Sequence, residues 1–449
     1  MEMDFLEEDP ATCEDEQEEE DVGSSNRPKG TKTEPIPLPN SSRAASSLPT
    51  QSAPSDYVRI LSESFQAIGT ASVPSSSIRW NLRRGNQVLQ YRRPGRILEI
   101  ALPIQEPGPY EVVIQVTHAG VSEYDLKVVS DAFPFVSKIV PGREVTGRIV
   151  DIGKNVTHAT LGDTVVVDPE YTSVADGGSK SLSFQDRKAL GITHNGGWAQ
   201  YLSVTGIQVH RIPNDLPGPW ATMIYEVACI VNAWKKIQPV SEADRILILC
   251  SGIAGFLWGL YLRLKNFDVE LCECQTNYSQ SIHQLDFTIV HRESLETGAG
   301  AALLDYDIIV DTTGNYELMD SAFQWLKPMG KFLLYGLPSG SSHLSKWCLR
   351  DILDKEATIC GSISHSREGF AEAVHAARKL SKYSLDSLGV NLYSISDYQT
   401  ALSDLKSGRC TKVIFTVQDP SRRSFLSSPS SPLLSPFDPP KFRVPHLYL

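Results

Sequence analysis

The spacing of hydrophobic and polar positions changes twice along this chain. From about 86 to 212, short β-rich runs such as EVVIQVTHAGV and EVTGRIVDIG are separated by Pro and Gly, a pattern that predicts short strands joined by turns. From about 214 to 363, fully apolar runs such as ILILC and DIIVD alternate with helical stretches. Such runs are typical of a parallel sheet covered on both faces. The pattern predicts an α/β protein with a barrel-like β domain and a parallel-sheet domain.

The two ends of the chain differ in composition from the region between them. Residues 1–84 combine an acidic run with Pro, Ser and Thr, and residues 419–449 repeat the Ser-Pro pattern. Such segments bury too little apolar area to offset their ordering entropy, so we predict two disordered tails. Between the tails we predict domains at 85–213 and 214–363. We expect residues 364–418, two helices and a strand, to dock partly back on the first domain.

Net charge and hydropathy exclude several classes of partner. The 449 residues carry a formal charge of −11, but twelve acidic and no basic residues lie in 1–21, which leaves +1 for the rest. A nearly neutral body gives no case for a nucleic-acid-binding face. With no apolar run of about 18 residues and an acidic N-terminus, we expect a cytoplasmic protein without a membrane span or signal peptide.

The spacing of the cysteines does not indicate a functional site. The eight cysteines show no C-x-x-C spacing, which argues against a disulfide framework or a clustered-cysteine zinc site.

A glycine-containing turn follows the first strand of the parallel-sheet domain. The turn reads Ser251, Gly252, Ile253, Ala254 and Gly255. Glycines there let the backbone approach a dinucleotide pyrophosphate, while the N-terminus of the next helix supplies free N–H donors. Gly252 and Gly255 fit the second and third glycines of the G-x-G-x-x-G motif, and Cys250 replaces the first. The turn is therefore a candidate cofactor site.

The next strand, VELCE, ends in a carboxylate. Glu273 lies 21 residues after Gly252, where it would accept hydrogen bonds from an adenosine ribose and repel a 2′-phosphate. No Arg or Lys occurs in 274–277 to bind that phosphate. We therefore favour NAD(H) over NADP(H), the alternative being that Glu273 is a solvated charge at a strand end.

Seven short motifs occur in a specific order between about Val88 and Val417. They are PGPYEV (107–112), AGVSEYDL (119–126), PGREVTG (141–147), GDTV (162–165), GGWAQY (196–201), VDTTGN (310–315) and GLPSG (336–340). In their order and spacing the chain resembles the medium-chain dehydrogenase/reductase family, which includes zinc alcohol and polyol dehydrogenases and zinc-free quinone reductases. Its Rossmann half is most similar to sorbitol dehydrogenases and other polyol dehydrogenases.

The resemblance implies a GroES-like catalytic domain with a Rossmann domain inserted before its final segment, and an active site in the cleft between them. Gly252, Gly255 and Glu273 match the family's cofactor positions, and Lys412 stands at a basic position that can reach the pyrophosphate. Family members are commonly dimers or tetramers, so the resemblance also implies a homo-oligomer and a small-molecule substrate.

The family's catalytic zinc ligands are replaced in this chain. Ser122 stands where zinc relatives have Cys, Arg143 where they have His, and Tyr225 at the later Glu or Cys position. Glu144 alone matches, and residues 168–194 lack the four cysteines of the structural zinc lobe. Since a guanidinium puts a fixed positive charge where the cation would lie, we expect no zinc.

Tyr124, Arg143 and Glu144 are the candidate catalytic residues. Tyr124 stands where zinc relatives have a Ser or Thr proton relay, so its phenol could act as the acid while Arg143 stabilises a developing oxyanion. Alternatively, Tyr124 packs and Arg143 pairs with Glu144, Asp125 or another carboxylate, filling the vacated site.

Two functions follow from these alternatives. The first is a zinc-independent NAD(H) oxidoreductase that transfers hydride to or from a small alcohol, polyol, carbonyl or quinone. The second is an inactive family member that keeps the fold as a nucleotide-sensing or protein-interaction scaffold.

Overall fold

β-Branched and apolar runs form the strands of the protein. The computed structural model describes residues 85–132, 137–171, 188–250, 252–273, 279–298, 305–337, 347 and 349–417, so both predicted tails lie outside the described residues. The strands are β1 (Asn86–Arg92), β2 (Arg96–Leu102), β3 (Glu111–Gly120), β4 (Glu144–Ile152), β5 (Thr164–Val167), β6 (Glu170–Tyr171), β7 (Lys188–Ala189), β8 (Tyr201–Thr205), β9 (Val209–Arg211), β10 (Ile246–Cys250), β11 (Val269–Glu273), β12 (Thr288–Val290), β13 (Tyr306–Asp311), β14 (Leu326–Leu334), β15 (Thr358–Gly361), β16 (Val390–Ser394) and β17 (Lys412–Thr416).

Most α-helices accompany the parallel sheet. They are α1 (Glu123–Val129), α2 (Gly218–Thr222), α3 (Ile224–Lys236), α4 (Ile253–Leu264), α5 (Ser279–Gln284), α6 (Arg292–Thr297), α7 (Tyr316–Phe323), α8 (Leu349–Asp354), α9 (Arg367–Leu380) and α10 (Tyr398–Lys406). Within the described ranges, none is long and apolar enough to cross a membrane.

The first large sheet is built around β3. Among the described residues its strand order is β16-β17-β3-β4-β5-β9, with β8 also pairing with β3. Within this described sheet β16 and β17 pair in parallel, and the other neighbouring strands pair antiparallel. Trp198 and Phe415 meet edge to face in its core, with ring centroids 5.3 Å apart. This packing joins β17, the last strand of the described residues, to the β-rich part before residue 212.

The second sheet is wholly parallel in its described part. Its order is β12-β11-β10-β13-β14-β15, which is the 3-2-1-4-5-6 order of a doubly wound dinucleotide-binding fold. All five residues of β10 are buried, and each large aliphatic side chain buried there contributes about 1.5–3 kcal/mol to folding. Strand order reverses between β10 and β13, so their carboxyl ends form the crevice where such folds bind ligands.

The chain returns to the first sheet after the parallel one. Helix α9 packs against α3, and β17 then pairs with β3, with Ile414 opposite Gly120. The predicted α/β class with a GroES-like part and a parallel Rossmann sheet is thus confirmed. The domain boundaries at 213, 363 and 418 stay predictions.

Candidate active site

Arg143 lies at the centre of a buried polar cluster. It immediately precedes β4, and its side chain is 0% exposed. Its Nη2 donates hydrogen bonds to Glu170 Oε1 and to the Tyr225 hydroxyl, each at 3.0 Å. The Tyr225 hydroxyl in turn donates to Glu170 Oε1 at 2.7 Å, and Ser364 Oγ donates to Glu170 Oε2. The guanidinium is therefore paired with a carboxylate that is itself held by two hydroxyl groups.

Electrostatics keep this cluster in one charge state. Burial alone would raise the pKa of Glu170, but the Arg143 charge and the hydrogen bonds from Ser364 and Tyr225 hold it below its usual value. Burial also raises the pKa of the Tyr225 phenol well above the usual value. At neutral pH the cluster is thus an ion pair between Arg143 and Glu170, bridged by a neutral phenol.

Asp125 brings Ser122 close to the segment that carries Arg143. Ser122 is the N-cap of α1, and its Oγ donates to Asp125 Oδ2 at 2.7 Å. Asp125 Oδ1 accepts from the backbone N–H of Gly142 at 2.7 Å. The capping box that starts α1 therefore also fixes the loop before β4.

Tyr124 and Glu144 have different partners. Tyr124 is half-buried, its ring centroid is 4.8 Å from Arg143 Cζ, and burial raises the pKa of its phenol to about 12. Glu144 is 2% exposed and pairs with Lys412, with Oε2 and Nζ 2.7 Å apart. Burial raises the pKa of Glu144 despite the opposing charge of Lys412. Arg143 thus contacts Tyr124, as expected if both residues belong to one site, whereas the carboxylate of Glu144 pairs with Lys412.

Lys412 does not point freely toward the parallel sheet. Besides Glu144, its Nζ contacts the carbonyl oxygen of Val121 at 3.4 Å, and the residue is 4% exposed. The pair keeps the ammonium within the first sheet. A contact between Lys412 and a pyrophosphate stays a prediction.

Two further polar pairs border the cluster. The Tyr335 hydroxyl, just after β14, donates to Glu226 Oε1 on α3 at 2.6 Å. His365 Nε2 lies 2.9 Å from Asp168 Oδ2. Sequence reasoning did not single out Asp168, Glu170, Ser364, His365 or Tyr335 as functional. The available signal was their position in segments that the family resemblance already covers.

The predicted cofactor turn has a backbone conformation and close contacts that require glycine. Gly252 has φ 122° and ψ −134° as the N-cap of α4, a conformation open in practice only to glycine. A Cβ on Gly255 would collide with Cys250 Sγ, so this glycine permits close packing of α4 on β10. Both features fit a turn that carries a dinucleotide pyrophosphate.

Other cofactor candidates are only partly described. Ile253 and Ala254 begin α4, and the backbone of Glu273 ends β11. Ser251 and the side chain of Glu273 lie outside the described residues. Their roles stay predictions.

The carboxyl ends of β13 and β14 complete this edge of the sheet. Asp311 Oδ1 accepts hydrogen bonds from the N–H and the hydroxyl of Thr313, at 2.9 and 2.6 Å. A Cβ on Gly336 would collide with the backbone of Gly314. The VDTTGN motif and the start of GLPSG thus pack backbone against backbone beside β10, with no space for larger residues.

The donors at the predicted metal position do not suit zinc. Zinc prefers thiolate, imidazole and carboxylate ligands, whereas Ser122, Arg143 and Tyr225 offer a hydroxyl, a cation and a neutral phenol. Among the residues that the structure describes, no group of three or more His, Cys, Asp and Glu side chains is arranged to hold a metal ion. The residues present at this position do not fit the ion.

The two sheets and the glycine turn define an α/β protein of the dinucleotide-binding class. The alcohol dehydrogenase GroES-like domain family matches residues 108–214. D-arabinitol dehydrogenase 1 of Uromyces fabae is 25% identical over 338 residues, covering 72% of this chain and 95% of that protein. The sorbitol dehydrogenase of Halalkalibacterium halodurans is also 25% identical over 338 residues, covering 71% and 94%.

Solved structures show the same fold. An alcohol dehydrogenase from E. coli CFT073 complexed with NADH has a TM-score of 0.65 at 19% identity, covering 74% of this chain and 99% of that chain. A putative zinc-binding dehydrogenase from Sinorhizobium meliloti 1021 bound to NADP has a TM-score of 0.66 at 19% identity, with the same coverage. In sequence and fold, the chain is thus similar to alcohol and polyol dehydrogenases, which supports the predicted resemblance to the medium-chain dehydrogenase/reductase family.

Proposed function

We propose that this protein is a nicotinamide-dependent oxidoreductase that interconverts a small polyol or alcohol and its carbonyl compound without catalytic zinc. The observation that carries the proposal is the buried Arg143–Glu170–Tyr225 cluster. It places a permanent cation at the position where the family resemblance predicts the metal. The names of the polyol-dehydrogenase relatives support the substrate class.

The cofactor part of this proposal is based on the glycine turn between β10 and α4. We propose that Ser251, Gly252, Ile253, Ala254 and Gly255 hold the pyrophosphate. Glu273 would accept hydrogen bonds from the ribose and favour NAD(H) over NADP(H). When bound, the nicotinamide supplies the hydride chemistry.

The catalytic part of this proposal is based on the positive charge of Arg143. Its guanidinium lies under the half-exposed Tyr124 ring, where a fixed cation stabilises negative charge on a nearby substrate oxygen. Tyr124 is placed to hydrogen-bond that oxygen. We assign Glu144 a supporting role through its pair with Lys412, which neutralises a second buried charge beside Arg143.

The first experiment measures cofactor and metal on the same sample. NADH and NADPH are titrated into the full chain by tryptophan fluorescence, zinc is measured by mass spectrometry, and oxidation of D-arabinitol and sorbitol is followed with NAD⁺. We expect tighter binding of NADH than NADPH, substoichiometric zinc, and turnover that a chelator leaves unchanged. Stoichiometric zinc that turnover requires would contradict the metal-free assignment.

One observation favours a non-catalytic scaffold. Arg143 is wholly buried and Glu170 is held by three side chains, so the position left by the metal is filled by protein. NADH binding without turnover of any alcohol, carbonyl or quinone tested would support this second function. Failure to bind either nucleotide would leave only a protein-interaction scaffold.

A further inference from the structure

Asp168 and His365 form a largely buried pair that joins the two sheets of the molecule. Asp168 directly follows β5 of the first sheet, and His365 lies between β15 and α9, on the parallel-sheet side. The Nε2 and Oδ2 atoms are 2.9 Å apart, and the side chains are 6% and 14% exposed. A carboxylate bound to one imidazole nitrogen fixes both the orientation and the tautomer of the ring.

The other ring nitrogen of His365 has no hydrogen-bond partner among the described residues. Its Nδ1 is buried, and no described residue hydrogen-bonds to it. The same holds for Nε and Nη1 of Arg143 within the described part of the chain. Buried polar atoms are almost always paired, so such atoms call for an explanation, such as a catalytic role or a bound ligand.

These unpaired atoms belong to two side chains that both contact the ring of Tyr225. The His365 ring meets the Tyr225 ring edge to face, with centroids 5.4 Å apart. Arg143 Cζ lies 5.3 Å from the centroid of that same ring. His365 also follows Ser364, which binds Glu170. The imidazole is thus next to the cluster that occupies the predicted metal position.

The charges around His365 favour its protonated form near neutral pH. Burial alone would lower the pKa of His365, but the hydrogen bond that its Nε2–H donates to Asp168 and the charges of Asp168 and Glu170 raise it above 6.5, against the opposing charge of Arg143. The phenol of Tyr124 has a pKa of about 12. A general acid works best when its pKa lies near the working pH, so the imidazole is better matched than the phenol.

We propose that His365, oriented by Asp168, is the acid–base residue that exchanges the proton of the reaction; this role rests on the proposed oxidoreductase function. In the oxidative direction, the substrate C–H bond breaks and its hydride passes to an oxidised nicotinamide dinucleotide. The hydroxyl proton passes to His365 Nδ1, and the C–O single bond becomes a carbonyl. The histidinium then releases the proton to solvent, and reduction runs in reverse.

Three variants of the full chain separate this role from its alternatives. His365→Gln keeps a terminal N–H that can bond to Asp168 but cannot titrate. Asp168→Asn keeps the shape of the partner but removes its charge. Tyr124→Phe removes the competing phenol. Each is assayed with NAD⁺ and D-arabinitol or sorbitol from pH 5 to 9, and NADH affinity is measured by fluorescence.

We expect His365→Gln to lower kcat about 10²- to 10⁴-fold, the range for loss of a general acid–base group, with NADH affinity unchanged. Asp168→Asn should move the histidine limb of the pH profile to lower pH, because Asp168 raises the pKa of His365. Tyr124→Phe should keep that limb. Turnover that His365→Gln leaves intact, or a limb that disappears in Tyr124→Phe, would overturn the role.

A measurement without turnover tests the same group. In the full chain labelled with [13Cε1]-histidine, the resonance missing from His365→Gln should titrate above pH 6.5 and shift when NADH is added. A resonance that does not titrate between pH 5 and 9 overturns the role. If the unsubstituted chain binds NADH but turns over no substrate, both the proposed function and this role fail. If the unsubstituted chain does turn over substrate but the variants do not behave as expected, only the role of His365 fails.

Discussion

At the scale of single residues, the energetic centre of the candidate site is the Arg143–Glu170 pair. Arg143 is 0% exposed and the Glu170 side chain 16% exposed, so water cannot fully solvate either charge if its partner is removed. Removing one partner of a buried pair typically costs 3–5 kcal/mol, whereas replacing both with neutral groups often costs little.

Arg143→Met should therefore destabilise the protein by about 3–5 kcal/mol, because it leaves Glu170 buried without its cation. Urea unfolding followed by tryptophan fluorescence measures the change. The double variant Arg143→Met with Glu170→Gln is the control, and it should recover most of the loss. A single variant as stable as the unsubstituted chain would show that the pair contributes nothing to folding.

At the scale of elements, the turn between β10 and α4 depends on a backbone that other residues avoid. Gly252→Ala must adopt φ near 122°, at a cost of about 1–3 kcal/mol. Relaxation of that strain moves the N–H groups that would face a pyrophosphate. We expect a large loss of NADH affinity, measured by fluorescence titration.

A second glycine provides a matched control for this variant. Gly162 also has a positive φ, of 87°, and no atom lies within 4 Å of the Cβ that alanine would add. It lies just before β5, in the first sheet. Gly162→Ala should lose stability to a similar degree but keep NADH affinity. Equal losses of affinity in both variants would mean that strain alone, and not the cofactor turn, accounts for the effect.

At the scale of the whole molecule, the Asp168–His365 pair links stability to pH. The pKa of His365 is raised on folding, so its contribution is fully present below about pH 6.5 and is lost as the pH rises through the folded value. The difference in unfolding free energy between the unsubstituted chain and His365→Gln should be largest at pH 6 and smaller at pH 9. Urea unfolding at the two values measures it, and a gap that widens with pH would contradict the assignment.

Local sequence patterns predicted both sheets but only part of the site. Alternation and apolar runs identified strands such as β3 and β10 because side-chain burial follows strand periodicity. The glycine turn was also local. The partners of Glu170 and Asp168 were not predictable in this way, because Ser364 lies 194 residues after Glu170 and His365 lies 197 after Asp168. Only the packing of the two sheets brings these residues together.

The Arg143 guanidinium beside β4 determines when the site acquires its positive charge. A metal ion must be delivered after translation, can be exchanged, and can be removed by a competing chelator. The charge of Arg143 is part of the polypeptide and stays protonated at any physiological pH. Every copy of the chain that folds therefore has its central cation from the start, whatever the metal status of the cell that makes it.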